Sequence, residues 1–152
     1  MAGIDWDPAL ETGDLLVDQQ HRNIHAIFAD LEAAGDDAGA IMEVLDRLMA
    51  HVDCHFATEE DLMCREGFPD AEAELHIAEH RKLTDGARDI VVGFRSDEIR
   101  GAAPIVAFLR EWLSDHVHTQ DRVMIDWVRA RGGVARLPEP WASDPSARGS
   151  AA

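Results

Sequence analysis

The stretch MAHVDCHFATEEDLM, residues 49–63, indicates the fold and raises the question of function. An α-helix repeats every 3.6 residues, so side chains three or four positions apart share a face. The face that carries Leu48, just before this stretch, and Leu62 also carries His51, His55 and Glu59. A helix that buries its apolar face here would therefore bury two imidazoles and a carboxylate with it.

The composition is that of one globular domain with a strongly acidic balance. The chain has 152 residues, 46% of them hydrophobic, with 30 Asp and Glu against 14 Lys and Arg. This length suffices for a single domain with its own core. Nucleic acids and anionic membranes are bound through basic patches, so the acidic excess argues against both as partners.

Nothing in the sequence indicates a membrane segment or an export signal. No run of about 18 apolar residues occurs, and the opening MAGIDWDP lacks the basic and apolar regions of a signal peptide. Cys54 and Cys64 lie on one predicted helix and would be about 15 Å apart, too far for a disulfide. We therefore expect reduced thiols and a cytoplasmic protein that is monomeric or weakly oligomeric.

Helical periodicity continues along the chain and predicts four long helices. They cover residues 18–34 with Asp18 as the cap, 38–66 with Gly67 at the end, 70–94 with Asp70 as the cap, and 104–131 with Pro104 in the first turn. Short breaks favour antiparallel neighbours, so the prediction is an all-α, up-down four-helix bundle with an irregular amino-terminal segment. The bundle would occupy residues 1–137, and residues 138–152 would be a disordered tail.

Every predicted helix turns at least one histidine towards the core. On helical wheels the apolar stripes contain His21 and His25; His51, His55 and Glu59; His76 and His80; and His116, with Asp121 at its edge. Burying a carboxylate without a cation costs several kcal/mol, and a shared metal would compensate for it. Five imidazoles and two carboxylates exceed the needs of one ion, which indicates two ions, and nitrogen-rich ligation suits Fe, Zn, Cu or Ni.

Four motifs, in this order and spacing, resemble those of the hemerythrin family, in particular its single-domain bacterial members. They are the entry segment IDWDPALETGDLLVDQQHRNIHAIF, then HFATEEDLM, HIAEH and WLSDHVHTQD. The resemblance extends to about residue 131. It implies a non-haem di-iron protein that binds dioxygen reversibly as a carrier, store or supplier, rather than an enzyme.

The resemblance also implies a role for each of the stripe residues that match its motifs. One iron would be held by His76, His80 and His116 and the other by His21 and His55, with Glu59, Asp121 and an oxo or hydroxo group as bridges. The second iron would keep a vacant position for dioxygen. The dry pocket around that position would be formed by Ile24, Phe56, Trp112, Leu113 and Val117.

The assignment of His116 does not follow from spacing alone. His116 and Asp121 are five residues apart, which is about 140° on an ideal α-helix, whereas His118 and Asp121 have a more usual helical spacing. We place His116 at the site because it shares a row with Phe108 and Trp112. His118 points outward on the same wheel, and we expect a surface side chain there.

Two further histidines that face inward are compatible with functions other than oxygen binding. His25 and His51 stand where the family usually has apolar or aromatic residues. They would be hydrogen-bonding partners of the ligands, proton relays or additional ligands. As acid–base groups they would suit a di-iron peroxidase or a nitric-oxide-handling enzyme, and an oxygen or iron sensor and an iron store are further alternatives.

Overall fold

The computed structural model describes residues 6–138, and over that range it contains helices and no strand. After a short 3₁₀ helix at Pro8–Leu10, the helices are α1 (Leu15–Ala33), α2 (Ala38–Glu66), α3 (Asp70–Arg95), α4 (Ala103–His116) and α5 (Arg122–Ala130). A π-helical turn, Val117–Asp121, joins α4 to α5, and the three together form the fourth rod. Both α1 and α3 pack against α2 and α4. The predicted four-helix bundle is confirmed.

Two apolar clusters lie on either side of a layer of buried polar side chains. The large apolar cluster contains Leu10, Ile24, Ile27, Phe28, Leu31, Ile41, Leu45, Leu48, Val52, Phe56, Leu83, Ala102, Ile105, Val106, Leu109, Leu113 and Val117. The small apolar cluster contains Val17, Leu62, Met63, Phe68, Met124, Ile125 and Val128. Helix α1 runs from the small cluster to the large one and α2 runs back, and the next two rods repeat this alternation. The rods are therefore antiparallel.

Helix ends at two positions follow the predicted chemistry. Gly67 ends α2 in the left-handed conformation, with φ of 69°, and its backbone N–H donates to the carbonyl of Cys64. Glycine has no Cβ to oppose this conformation, which satisfies the last carbonyls of the helix. Pro104 lies in the first turn of α4, where a missing N–H carries no penalty.

The predicted cap of the first helix is wrong. Asp14 caps α1 by accepting two backbone N–H groups of the first turn. Asp18 lies one turn inside the helix and is buried. Its carboxylate accepts from the N–H and hydroxyl of Thr12 and from the N–H of Gly13. Asp18 therefore holds the segment before α1 against the helix instead of starting the helix.

The predicted cap of α3 is wrong, and most of the predicted tail lies outside the described residues. Asp70 is the first residue of α3, and Pro69 occupies the cap position with no side-chain hydrogen bond to the helix. Pro138, the first residue of the expected tail, is buried. Residues 1–5 and 139–152 lie outside the described residues. None of the helices in residues 6–138 combines the length and apolar content that crossing a membrane requires.

Candidate metal centre

The structure brings the seven predicted ligands into one buried layer between the two apolar clusters. They are His21 on α1, His55 and Glu59 on α2, His76 and His80 on α3, His116 at the end of α4 and Asp121 at the end of the π turn, each at most 3% exposed. They form a five-residue group of Glu59, His76, His80, His116 and Asp121, and a four-residue group of His21, His55, Glu59 and Asp121. Within each group the ligand atoms lie within 4.8 Å of one another.

Glu59 and Asp121 belong to both groups because each directs one oxygen towards each of them. Glu59 Oε1 contacts His55 Nε2, whereas Glu59 Oε2 lies 2.9 Å from His76 Nε2. Asp121 Oδ2 lies 2.8 Å from His21 Nε2, whereas Asp121 Oδ1 lies 3.0 Å from His116 Nε2. Two carboxylates oriented in this way can each share their oxygens between two neighbouring cations.

Many polar atoms of this layer lie close together and yet make no hydrogen bond. Within the described residues, both oxygens of Glu59 and of Asp121, and Nε2 of His76, His80 and His116, lack a hydrogen-bond partner. Several of these nitrogen–oxygen separations are nevertheless 2.9–3.0 Å. Buried polar atoms in proteins are normally paired. Converging lone pairs of nitrogen and oxygen are what a cation requires, so the residues present fit bound metal ions.

The π turn is the reason that His116 and Asp121 meet. Hydrogen bonds in a π-helix run from residue i to residue i+5, so residues five apart return to the same side. An ideal α-helix would instead leave them about 140° apart. The outer side of the turn carries the exposed His118 and Thr119, and His118 Nδ1 donates to the carbonyl of Ser114 at 2.7 Å. His118 therefore faces away from the layer.

The electrostatics of the metal-free layer keep both carboxylates ionised. Burial and the nearby Asp121 oppose ionisation of Glu59, but His55 and His76 outweigh them and lower the pKa of Glu59 to about 2. Burial also opposes ionisation of Asp121, and His116 above all lowers its pKa. Burial disfavours protonation of His76, yet the adjoining Asp121 and Glu59 raise the pKa of His76 to about 10. The layer thus presents two anions and carries protons where cations would bind.

Two ligand rings are held from outside by residues that the sequence analysis did not single out. His55 Nδ1 lies 2.8 Å from Gln20 Oε1, and His80 Nδ1 lies 3.1 Å from Glu60 Oε1. A ring nitrogen that donates outward leaves the lone pair of the other nitrogen for a metal. Gln20 and Glu60 each stand next to a predicted ligand in the sequence, which is the signal that could have identified them.

An apolar cavity extends from the layer into the large apolar cluster. The cavity volume is about 20 Å³, and His55 is the one titratable residue among those that line it in the described chain. The predicted pocket residues Ile24, Phe56, Trp112 and Leu113 line this cavity. Val117 does not line it, although it is fully buried in the same cluster. The sequence analysis missed the far walls, such as Phe28 and Leu109, because their spacing is that of ordinary core residues.

Two aromatic rings cover ligand rings beside this cavity. Phe56 stacks on His80 with ring centroids 3.8 Å apart and planes at 10°. Trp112 stacks on His116 at 4.5 Å and 15°. Both rings have an apolar face against an imidazole, so they keep water from these two ligands and fix the orientation of their planes.

The additional inward histidines lie outside both ligand groups. His25 and His51 are half-buried, so the prediction that they face the bundle interior holds only in part. His25 packs edge-on to Trp6 with ring centroids 5.7 Å apart. Burial and then Arg47 lower the pKa of His51. Neither histidine lines the apolar cavity.

Comparisons with known proteins find one family along most of this chain. The family model of the hemerythrin HHE cation binding domain matches residues 12–128. The bacteriohemerythrin of Ralstonia nicotianae is 32% identical over 138 residues, which cover 90% of this chain and 96% of that protein. The bacteriohemerythrin of Stenotrophomonas maltophilia is 32% identical over 140 residues, covering 86% and 84%. A solved structure of wild-type hemerythrin matches with a TM-score of 0.71 at 30% identity, covering 80% of this chain and 95% of that one.

Proposed function

The chain belongs to the hemerythrin family, and we propose that it binds dioxygen reversibly at a pair of iron ions. In this proposal His76, His80 and His116 hold one iron, His21 and His55 hold the other, and Glu59 and Asp121 are shared. The observation that carries the proposal is that each carboxylate directs one oxygen to the five-residue group and one to the four-residue group. A single ion would not need both carboxylates in that orientation.

The donor set is compatible with iron, and the resemblance to the hemerythrin family implies it. Five imidazoles and two carboxylates form a nitrogen-rich set that suits Fe, Zn, Cu or Ni. A pair of irons held there would supply two electrons to dioxygen and recover them on release, so that binding could be reversible. The two ionised carboxylates offset part of the positive charge inside a buried layer, where unbalanced charge is costly.

The position of the cavity supports the four-residue group as the side where dioxygen binds. That group offers one protein ligand fewer than the five-residue group. It also contributes His55 to the lining of the apolar cavity. Dioxygen is small and apolar, and a cavity that has room for about one such molecule and an apolar wall favours it over water and anions.

The lining of the cavity favours a carrier over an enzyme. A peroxidase or a nitric-oxide-handling enzyme would need a positioned acid or base beside the reacting oxygen. Within the described residues the lining holds one titratable group, His55, and its Nε2 already contacts Glu59. The half-buried His25 and His51, which would be the acid–base groups of the enzymatic alternative, lie elsewhere.

The metal content and absorption spectrum of the purified protein test this function. We expect close to two irons per chain after growth in iron-sufficient medium, and a new visible band when the reduced protein meets air that disappears under nitrogen. Glu59→Ala and His80→Ala should each lower the iron content. Wild-type protein that holds zinc alone would refute the proposal, and continuous turnover of peroxide or nitric oxide without the reversible band would replace it with the enzymatic alternative.

A further inference from the structure

A chain of three hydrogen bonds connects the backbone of α2 to the ring of His55. The hydroxyl of Thr58 donates to the carbonyl of Cys54 at 2.9 Å. The side-chain amide of Gln20, on α1, lies 3.0 Å from the same hydroxyl through Nε2. Its Oε1 lies 2.8 Å from Nδ1 of His55. Thr58 is fully buried, and Gln20 is half-buried.

The direction of every bond in this chain follows from the first. A carbonyl oxygen can only accept, so Thr58 must use its single hydroxyl hydrogen on Cys54. The hydroxyl can then only accept from Gln20, which places the NH₂ of the amide towards Thr58 and its oxygen towards His55. The amide orientation is otherwise ambiguous, because a half-turn exchanges atoms of nearly equal size.

The last bond fixes the proton of the imidazole. Because the oxygen of Gln20 faces Nδ1, that nitrogen must carry a hydrogen, and the neutral imidazole that binds a metal has only one. Nε2 of His55 therefore keeps its lone pair. This atom points into the polar layer, in contact with Glu59 and 3.0 Å from Nε2 of His21.

We propose that Thr58 and Gln20 are positioning residues that hold the hydrogen of His55 on Nδ1 and its Nε2 lone pair towards the metal layer. This inference rests on the proposed function, because it concerns how one of the proposed ligands is kept ready. Without the hydroxyl of Thr58, the amide of Gln20 is free to turn over. Its NH₂ would then face Nδ1 and favour the tautomer whose hydrogen occupies the metal-binding side.

In the five-residue group, the ring of His80 is also held in one tautomer, but by a carboxylate instead of an amide. Nδ1 of His80 lies against the carboxylate of Glu60, which is 41% exposed on its side chain. An ionised carboxylate has no donor, so it fixes the tautomer alone and needs no second residue to orient it. At His55 the partner is a neutral amide, and Thr58 supplies the missing orientation without adding a negative charge to the group that adjoins the apolar cavity.

The test measures the rate at which a chelator removes iron from the iron-loaded full-length protein. Thr58→Val keeps the shape of the side chain and removes the hydroxyl, and we expect iron loss to become about tenfold faster, the lower end for residues that orient a metal ligand. Thr58→Ser restores the hydroxyl and should behave as the wild type. Thr84→Val is the matched control, because the Thr84 hydroxyl makes the same bond to the carbonyl of His80 but, among the described residues, accepts from no side chain that contacts a ligand ring.

A second substitution separates orientation of the amide from a merely structural role. Gln20→Glu replaces the amide with a carboxylate that can only accept, so it should restore slow iron loss in the Thr58→Val background. In the zinc-substituted protein, the hydrogen on His55 Nδ1 should exchange with water faster in Thr58→Val than in the wild type or the double variant. If Thr58→Val does not fold, Gln20→Leu removes the same bond from the other side and should show the same faster iron loss.

The outcomes distinguish this inference from the proposed function. Iron loss from Thr58→Val at the wild-type rate, or failure of Gln20→Glu to slow it, would overturn the positioning role while two irons per wild-type chain kept the proposed function. A wild-type chain without iron would instead refute the proposed function itself.

Discussion

Helices α2 and α3 deliver their ligands in a different way from the rod formed by α4 and α5. His55 and Glu59, and likewise His76 and His80, lie four residues apart on uninterrupted α-helices. His116 and Asp121 lie five apart, and the backbone between them is a π turn. Both arrangements place two ligand atoms in the same layer.

The layer therefore requires that the side chains converge, and it does not require a fixed spacing between them. One extra residue in the fourth rod would turn Asp121 away by about 100° if the helix remained α-helical. The π turn absorbs that residue on its exposed side, at His118 and Thr119, while Val117 and Asp121 remain fully buried. Single π turns inside α-helices are frequently found at functional sites.

The largest expected effect comes from giving α2 the spacing of the fourth rod. Insertion of one alanine between Ala57 and Thr58 should rotate the rest of α2 by about 100°, which takes Glu59 out of the layer and the buried Leu62 and Met63 out of the small apolar cluster. Each of these two apolar side chains contributes roughly 1.5–3 kcal/mol by its burial. We expect no bound iron and a large drop in the free energy of unfolding, measured by metal analysis and denaturant titration.

The reverse change is the matched control for that insertion. Deletion of the exposed Thr119 leaves His116 and Asp121 four residues apart, as on α2 and α3, so the rod can become a continuous α-helix with both ligands in the layer. We expect the deletion variant to keep about two irons per chain. If the insertion kept its iron, the register of α2 would not be what positions Glu59. If the deletion lost its iron, the register of the fourth rod would not be what positions Asp121.

This contrast also marks what the sequence could predict. The four rods, the end of α2 at Gly67 and the inward stripes follow from periodicity and capping, which are local properties of the chain. The π turn does not, because a wheel assumes one constant angle per residue and five-residue spacing contradicts it. His116 was placed by the row that it shares with Phe108 and Trp112 on the wheel, whereas the spacing to Asp121 alone would have favoured His118.

Other differences arise from side-chain contacts that helical periodicity does not indicate. Asp14 and Asp18 both suit a helix start, and the choice depends on Thr12 and Gly13 folding back onto Asp18. Gln20 was visible only as a polar residue beside a ligand, because its role depends on Thr58 on another helix. The pairing of Gln20 with Thr58 is tertiary, and the pairing of Thr12 with Asp18 requires the segment before α1 to fold back, so helical periodicity indicates neither.

A smaller effect is expected from removing the aromatic ring that covers His116. Trp112, on the fourth rod, stacks on His116 and lines the cavity. Trp112→Ala should cost about 3 kcal/mol of unfolding free energy, the lower end for a large aromatic because the ring is half-buried. The opened cavity would admit water, so the visible absorption of the oxygenated protein should decay faster in air-saturated buffer at equal iron loading.

Trp127→Ala is the control for Trp112→Ala. Trp127 is also half-buried but packs on Phe68 and Arg131 beside the small apolar cluster, away from the cavity. It should lower stability without shortening the lifetime of the oxygenated state. Equal lifetimes in the two variants would show that dryness at Trp112 does not protect bound dioxygen.

The stability of the metal-free protein should depend on pH through both regions, because His76 lies between Glu59 of α2 and Asp121 of the π turn. Burial opposes protonation of His76, but these carboxylates raise its pKa from 6.5 to about 10. The folded pKa is above the unfolded one, so this contribution to stability is fully present below pH 6.5 and is lost as the pH rises through 10. The free energy of unfolding should therefore fall between these values in denaturant titrations, and less steeply in Asp121→Asn. An unchanged slope in that variant would contradict the role of Asp121.

The smallest expected effect concerns His118, which shares the fourth rod with both ligands. Its side chain is exposed on the outer side of the π turn, and its one bond in the described structure, from Nδ1 to the carbonyl of Ser114, is at the surface. His118→Ala should change the free energy of unfolding by no more than about 0.5 kcal/mol and leave the iron content and spectrum unchanged. His116→Ala removes a ring whose Nε2 lies 3.0 Å from Asp121 and should lose iron. Iron retained in His116→Ala but lost in His118→Ala would mean that the rod is α-helical in solution and that His118 is the partner of Asp121.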